Sequence, residues 1–329
     1  MARTRRLAAI DIGTVTTRLL VADVSAAGVI EVERSTDITH LGEGLTATGR
    51  LSDAAMERVA DVIGRYHSAI DELSVEHVTA LATSASRDAE NAEEFLALLA
   101  AHGLVPVIIP GEREAVLSFA GAASDMEPCE DLLVVDLGGG STELILGDVS
   151  VVDGVRAADV VKARSIDVGS KRATELFLHS DPPTPDELAE AREWATTQLR
   201  PYFDGLRDRP QRMVAVAGTA TSLSAIRQEL AIYDSSLVHC SCITGSELAD
   251  LTEMLAAMPL EERKHVPGLD PGRAPVIVAG ALILETVVAL AGLDSTLVSE
   301  HDILYGILLD TYRELQEAGE TSTTSPAEA

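Results

Sequence analysis

Two apolar runs rich in branched residues, 7–13 and 16–24, are joined by a Gly/Thr turn, a pattern that predicts a β-hairpin with a tight loop. The pattern is written twice. Shifted by 125 positions, residues 7–24 align without a gap on residues 132–149, with seven of eighteen positions identical, among them Asp11/Asp136, Gly13/Gly138 and Thr17/Thr142. One pair differs in sign, Arg18 against Glu143.

Between the hairpins, Met56, Val59, Ile63, Tyr66, Ile70 and Leu73 recur at helical spacing behind Ser52, which predicts an N-capped helix over 52–73. A strand at 77–82, a helix over 88–101, a strand at 104–109 and a helix opening at "GEREA" follow. After the second hairpin come strands near 151–168 and a helix to about Leu206 that opens with the capping box Thr184, Pro185 and Glu187. "MVAVAGTATSLSAI" reads as a buried strand, a Gly-Thr turn and a helix start. Helices at 245–258 and 276–291, a strand at 295–299 and a helix over 301–315 complete the pattern, leaving a polar tail read as disordered. Strands alternating with helices imply a mixed α/β protein, and a hairpin opening each half implies two related domains facing each other across a cleft.

The 329 residues suit about two domains of ~150 residues. A net charge of −28, from 25 Lys and Arg against 53 Asp and Glu, argues against a broad nucleic-acid or anionic-membrane surface. The apolar stretch 274–293 carries Glu285 near its middle and reads as a buried helix of a globular core. Asp11 cuts the first apolar run before it can serve as an export signal. Three cysteines, Cys129, Cys240 and Cys242, are too few for a disulfide framework and fit a reducing cytoplasm.

Glycine-rich turns let successive backbone N–H groups point at one anion. Gly138, Gly139, Gly140, Ser141 and Thr142 form one such cradle; Gly13, Thr14, Thr16 and Thr17 form a second, and Gly218 and Thr219 of "AGTATS" a third. Each alone is better explained by an ordinary turn, but the duplication and the third such turn favour phosphate binding. Asp136 stands at a strand end where a hydrated cation could bridge to phosphate. Arg18 can donate to phosphate oxygens, while Glu143 can hold a water on a metal or orient a nucleophile. Further cations able to line a channel are Arg87, Lys162, Arg164, Lys171, Arg172, Arg212 and Arg273. "HCSC" offers His239, Cys240 and Cys242 but lacks a second pair at zinc spacing, and Ser299, His301 and Asp302 of "VSEHD" are too close in sequence for a triad and read as a helix cap.

The ordered set "DIGTVTTRLL", "ATSASRDAEN", "GEREA", "VVDLGGGSTEL", "DVGSKRATELF", "AGTATSLSA" and "SEHDILYGIL" resembles the exopolyphosphatase / guanosine pentaphosphate phosphohydrolase family of the actin, sugar-kinase and heat-shock-protein-70 superfamily. The resemblance implies two ribonuclease-H-like (actin-like ATPase) domains, 1–126 and 127–316, with the last helix from about 301 able to pack on the first domain and a tail at 317–329. It implies hydrolysis of terminal phosphoanhydrides of polyphosphate, or of guanosine pentaphosphate, the stringent-response nucleotide. It further implies Mg²⁺ or Mn²⁺, monovalent-cation stimulation and a homodimer. Glu114 falls on the family's catalytic glutamate, Asp136 and Glu143 on its metal-associated carboxylates, Asp11 and Arg18 on its first phosphate loop and Arg87 on a substrate-facing arginine. Val15 replaces the asparagine of that first loop. A nucleotide-dependent kinase of the same superfamily and a catalytically silent phosphate-ligand sensor are the alternatives.

Overall fold

The computed structural model describes residues 3–152 and 155–323. In the first half, β1 (Arg5–Ile12), β2 (Thr16–Ser25) and β3 (Gly28–Ile38) form an antiparallel meander, followed by α1 (Leu45–Thr48) and α2 (Asp53–Glu72). Then come β4 (His77–Ala82), α3 (Ser84–Asp88), α4 (Ala92–Ala101), β5 (Val107–Ile108) and α5 (Gly111–Ala122). The second half repeats the scheme with the meander β6 (Cys129–Leu137), β7 (Thr142–Val152) and β8 (Val155–Ile166), then α6 (Ser170–Phe177), α7 (Pro185–Asp204), β9 (Arg212–Val216) and α8 (Ala217–Arg227). It closes with α9 (Ser235–Val238), β10 (Cys242–Thr244), α10 (Gly245–Ala257), α11 (Leu260–Arg263), α12 (Ile277–Ala291), β11 (Ser295–Val298) and α13 (Ile303–Thr323).

The strand orders show the duplication: β3-β2-β1-β4-β5 in one sheet and β8-β7-β6-β9-β11 in the other, where β10 adds an antiparallel edge. β4 runs parallel to β1, and β9 parallel to β6. Strand alternation then sorts each hairpin onto two helix layers. Ala8, Ile10, Ile12, Leu19 and Val21 pack with α2, while Leu7, Ala9, Leu20, Ala22 and Val24 pack with α13. In the second sheet Leu133, Val135 and Leu144 face α7 and α12, while Leu132, Val134 and Ile145 face Ala115, Phe119 and Ala122 of α5. α5 and α13 therefore lie side by side between the sheets. They cross at two glycines: a Cβ on Gly121 would lie 1.8 Å from Asp302 O, and one on Gly306 would lie 1.9 Å from Leu117 O.

Several local expectations meet a different outcome. The helix read over 88–101 begins only at Ala92, where α3 has already ended at Asp88, because Asn91 turns its side chain onto the Leu51 backbone, accepting from its N–H (2.9 Å) and donating to its C=O (3.0 Å). The strand read at 104–109 shortens to β5. The buried strand and helix start read in "MVAVAGTATSLSAI" are β9 and α8, and the Gly-Thr turn between them is already the first turn of α8, entered through Ala217 at φ 67°. Residues 317–323, read as tail, continue α13, and 324–329 lie outside the described residues. Glu285 of α12 pairs with Arg192 at 2.9 Å, and among the described residues no helix is long and apolar enough to cross a membrane.

Candidate active site

The carboxyl ends of β1, β4, β6 and β9 open on one cleft between the sheets, the position where α/β sheets place ligands. Its two hairpin loops meet tip to tip. Gly13 N–H donates to Thr16 O (2.9 Å) and Gly138 N–H to Ser141 O (3.0 Å), the same turn closed twice. A Cβ on Gly139 would lie 2.4 Å from Val15 Cγ2, and one on Gly140 would lie 2.4 Å from Ser84 Oγ, so only glycine lets the loops approach this closely. The N–H groups of Ser170, Lys171 and Arg172 at the head of α6 donate to the carbonyls of Gly138 and Gly139 at 2.9–3.1 Å. The N–H groups of Gly139 and Gly140 donate to no protein acceptor among the described residues. Gly13, Thr14, Thr16, Gly138, Gly139, Gly140 and Ser141 line the cleft with Gly218 and Thr219 of the α8 N-terminus, a second source of aligned donors.

The sign change between the hairpins shapes the floor of this cleft. Asp11 opposes Arg18 across β1 and β2, whereas Asp136 opposes Glu143 across β6 and β7. Arg18 donates to Asp11 Oδ2 through Nε (3.2 Å) and Nη2 (2.6 Å), and its Nη1 binds Asp302 just ahead of α13. The second hairpin instead opposes two carboxylates, an arrangement that destabilises a strand pair unless something offsets it. Ser118 donates to Asp136, and Ser141 and Ser165 donate to Glu143 Oε1 at 2.8 and 2.6 Å. These bonds do not restore ordinary acidity. Burial, then the charges of Glu114 and Asp136, push Glu143 well above the carboxylate range, and burial lifts Asp136 to about 6. Asp11 Oδ1 is buried and has no hydrogen-bond partner. An orphaned oxygen beside two carboxylates that resist ionisation fits an oxygen-coordinated divalent cation, for which all three line the cleft.

Glu114 comes from the first turn of α5 and is buried. Arg87 Nη1 donates to its Oε2 (3.1 Å) and to Ile109 O (3.0 Å). Burial and the charge of Asp136 outweigh Arg87 and raise Glu114 to about 8. Arg273 lines the same cleft with its guanidinium against Gly218, and among the described residues it has no carboxylate within 4.0 Å. Burial and the charge of Arg18 lower its affinity for its proton, so a phosphate there would supply a missing counter-charge. The space enclosed between the loops is about 60 Å³. A second groove opens from the same loop pair past Thr14, Ser84, Gly140, Asp88, Lys171 and Arg172.

Some expected residues do not reach the cleft. Thr17 Oγ1 meets Thr39 Oγ1 (3.1 Å) inside the first half, and Thr142 Oγ1 donates to Val168 O, because successive strand residues point to opposite faces. Arg87 stands behind Glu114 rather than among the lining residues. Among the other expected cations, Lys162 donates to Tyr202 O (3.0 Å), Lys171 pairs with Glu175 (3.4 Å) and Arg172 binds Asp88 and Gly140 O. Ser84, by contrast, has a buried hydroxyl without a partner that faces both grooves. Its position after β4 and that of Asp302 after β11 follow from strand order, which the chain does not spell out locally.

A family profile described as "Ppx/GppA phosphatase family" matches residues 20–312, nearly the whole length over which the cleft is built. The chain belongs to the Ppx/GppA phosphatase family. It is thereby a hydrolase of the phosphoanhydride-cleaving kind. Exopolyphosphatase 2 of Mycobacterium tuberculosis is 39% identical over 323 residues, spanning 92% of this chain and 98% of that protein. A solved exopolyphosphatase-like protein is 34% identical with TM-score 0.88, covering 95% of this chain and 99% of its own. The Ppx/GppA family member of Aquifex aeolicus is 30% identical with TM-score 0.78, covering 95% and 99%. The two-sheet α/β architecture expected from the resemblance is thus the family's own.

Proposed function

We propose that this Ppx/GppA phosphatase hydrolyses the terminal phosphoanhydride of inorganic polyphosphate to release orthophosphate, with guanosine pentaphosphate as a second substrate. The observation that carries the reading is the placement of Glu114, raised to about 8, in one cleft with two hairpin loops, the second of which presents the free N–H groups of Gly139 and Gly140. Phosphoryl transfer asks mainly for positioning and charge stabilisation. The loop N–H groups, Arg18 and Arg273 bind the terminal phosphoryl group, with Arg18 held in place by Asp11 and Asp302. Glu114 orients the attacking water and accepts its proton, a task suited to a base whose pKa lies near neutrality. Arg87 fixes the Glu114 carboxyl group. Asp136, Glu143 and Asp11 would hold Mg²⁺ or Mn²⁺, which would supply neutralisation of charge on the phosphate oxygens. The groove along Lys171 and Arg172 takes the remainder of the phosphate chain.

A nucleotide-dependent kinase of the same superfamily would release little phosphate from ATP without an acceptor. The test is phosphate release from short polyphosphate, long polyphosphate, guanosine pentaphosphate and ATP in parallel, with Mg²⁺ and with a chelator. Release from polyphosphate should require the cation. Release unaffected by the chelator would refute the metal assignment, and tight polyphosphate binding without release would identify a sensor.

A further inference from the structure

The fold supplies the partners that the "HCSC" segment lacks in sequence. His239 ends α9, His301 precedes α13, and Asp125 lies in the loop after α5. His239 Nε2 is 2.7 Å from Asp125 Oδ2, and His301 Nδ1 is 3.4 Å from Asp125 Oδ1 and 3.2 Å from Ser124 Oγ. One ligand atom from each of the three residues lies within 4.8 Å of the other two. The imidazoles stack with centroids 4.4 Å apart, and His301 in turn stacks on Tyr305 at 3.8 Å. The three side chains are 20–36% exposed, open enough for an ion to enter.

We propose that Asp125, His239 and His301 form a second metal site, one for a late first-row divalent cation of the Zn²⁺ class. Ligand chemistry separates it from the cleft. An all-carboxylate set suits Mg²⁺ or Mn²⁺, whereas two imidazoles with one carboxylate suit Zn²⁺, Co²⁺ or Ni²⁺. Three protein ligands leave a coordination position open for water or for the thiol of Cys240, next in sequence to His239.

Entry has an identifiable cost. Glu300 N–H donates to His239 Nδ1 (3.2 Å), which leaves the proton of the neutral ring on Nε2, aimed at Asp125. An ion bound at Nε2 moves that proton to Nδ1, and the Glu300 contact opens. In return the ion ties the loop after α5, the end of α9 and the head of α13 into one unit. That unit adjoins Asp302, the partner of Arg18.

Co²⁺ is the probe. The full chain carrying Glu143→Gln, which weakens the cleft site, is stripped with a chelator and titrated with Co²⁺, following visible ligand-field bands and bound metal per chain. The site predicts one equivalent, bands of imidazole-ligated Co²⁺, no displacement by Mg²⁺, and affinity lower by about tenfold or more when His301→Gln or Asp125→Asn is added. Thermal unfolding checks that each variant is folded, and added Zn²⁺ should raise the Tm of the Glu143→Gln chain but not of its His301→Gln derivative. Absence of bound Co²⁺ in the folded Glu143→Gln chain would overturn the site. Binding unchanged by both substitutions would overturn it equally, leaving a hydrogen-bonded network complete without metal.

Discussion

Replacing Asp136 with asparagine should stabilise the cation-free protein while removing its response to Mg²⁺. Burial holds Asp136 at about 6 in the fold against an ordinary 3.8, so the folded state keeps a proton that the unfolded chain releases. That difference corresponds to about 3 kcal/mol. The sign follows: the wild type loses this stability as pH rises from about 4 through about 6, and a neutral side chain escapes the loss. Asparagine is close in shape and can still accept the Ser118 hydrogen bond. The gain should therefore be full at pH 8, about half as large at pH 5, and equivalent to roughly 5 °C in Tm. Thermal denaturation in a chelator at both pH values, followed by the same scans with Mg²⁺, reads it directly. An unchanged or lower Tm for Asp136→Asn at pH 8 in chelator would refute the idea that the cleft stores carboxylate repulsion for a cation to relieve.

Arg18→Met leaves Asp11 and Asp302 buried without their shared counter-charge and should cost about 3–5 kcal/mol at pH 8, measured by urea denaturation, with the loss shrinking as pH falls. Gly306→Ala puts a methyl group 1.9 Å from Leu117 O and should cost about 1–3 kcal/mol of stability. Because α5 carries both Leu117 and Glu114, the same variant should also lower the rate of phosphate release, which a steady-state assay on short polyphosphate would show.

The hairpins were legible because their apolar runs and Gly/Thr turns depend only on neighbouring residues, and the repeat marked both loops as parts of one design. The opposition of Arg18 and Glu143 was legible too, and it locates the difference between the halves: a neutralised aspartate in one, a carboxylate pair in the other. Asp302 was hidden in a capping role that it does fill, accepting from Leu304 N–H (3.0 Å), while its second oxygen binds Arg18 across 284 positions of sequence. No local pattern encodes such a contact. Thr17 and Thr142 are a different kind of miss, since strand alternation already places them opposite Thr16, Arg18, Ser141 and Glu143. Arg273 stood among eight candidate cations, and only packing distinguishes it, by leaving it without a carboxylate partner in the cleft.

The proposed hydrolysis depends on Glu114 taking the proton of the attacking water. Phosphate release from short polyphosphate by wild type and Glu114→Gln, with polyphosphate binding measured alongside, decides whether it does. The variant should lose about 10²–10⁴ in kcat with binding retained. A variant that turns over at the wild-type rate would show that the proton goes elsewhere.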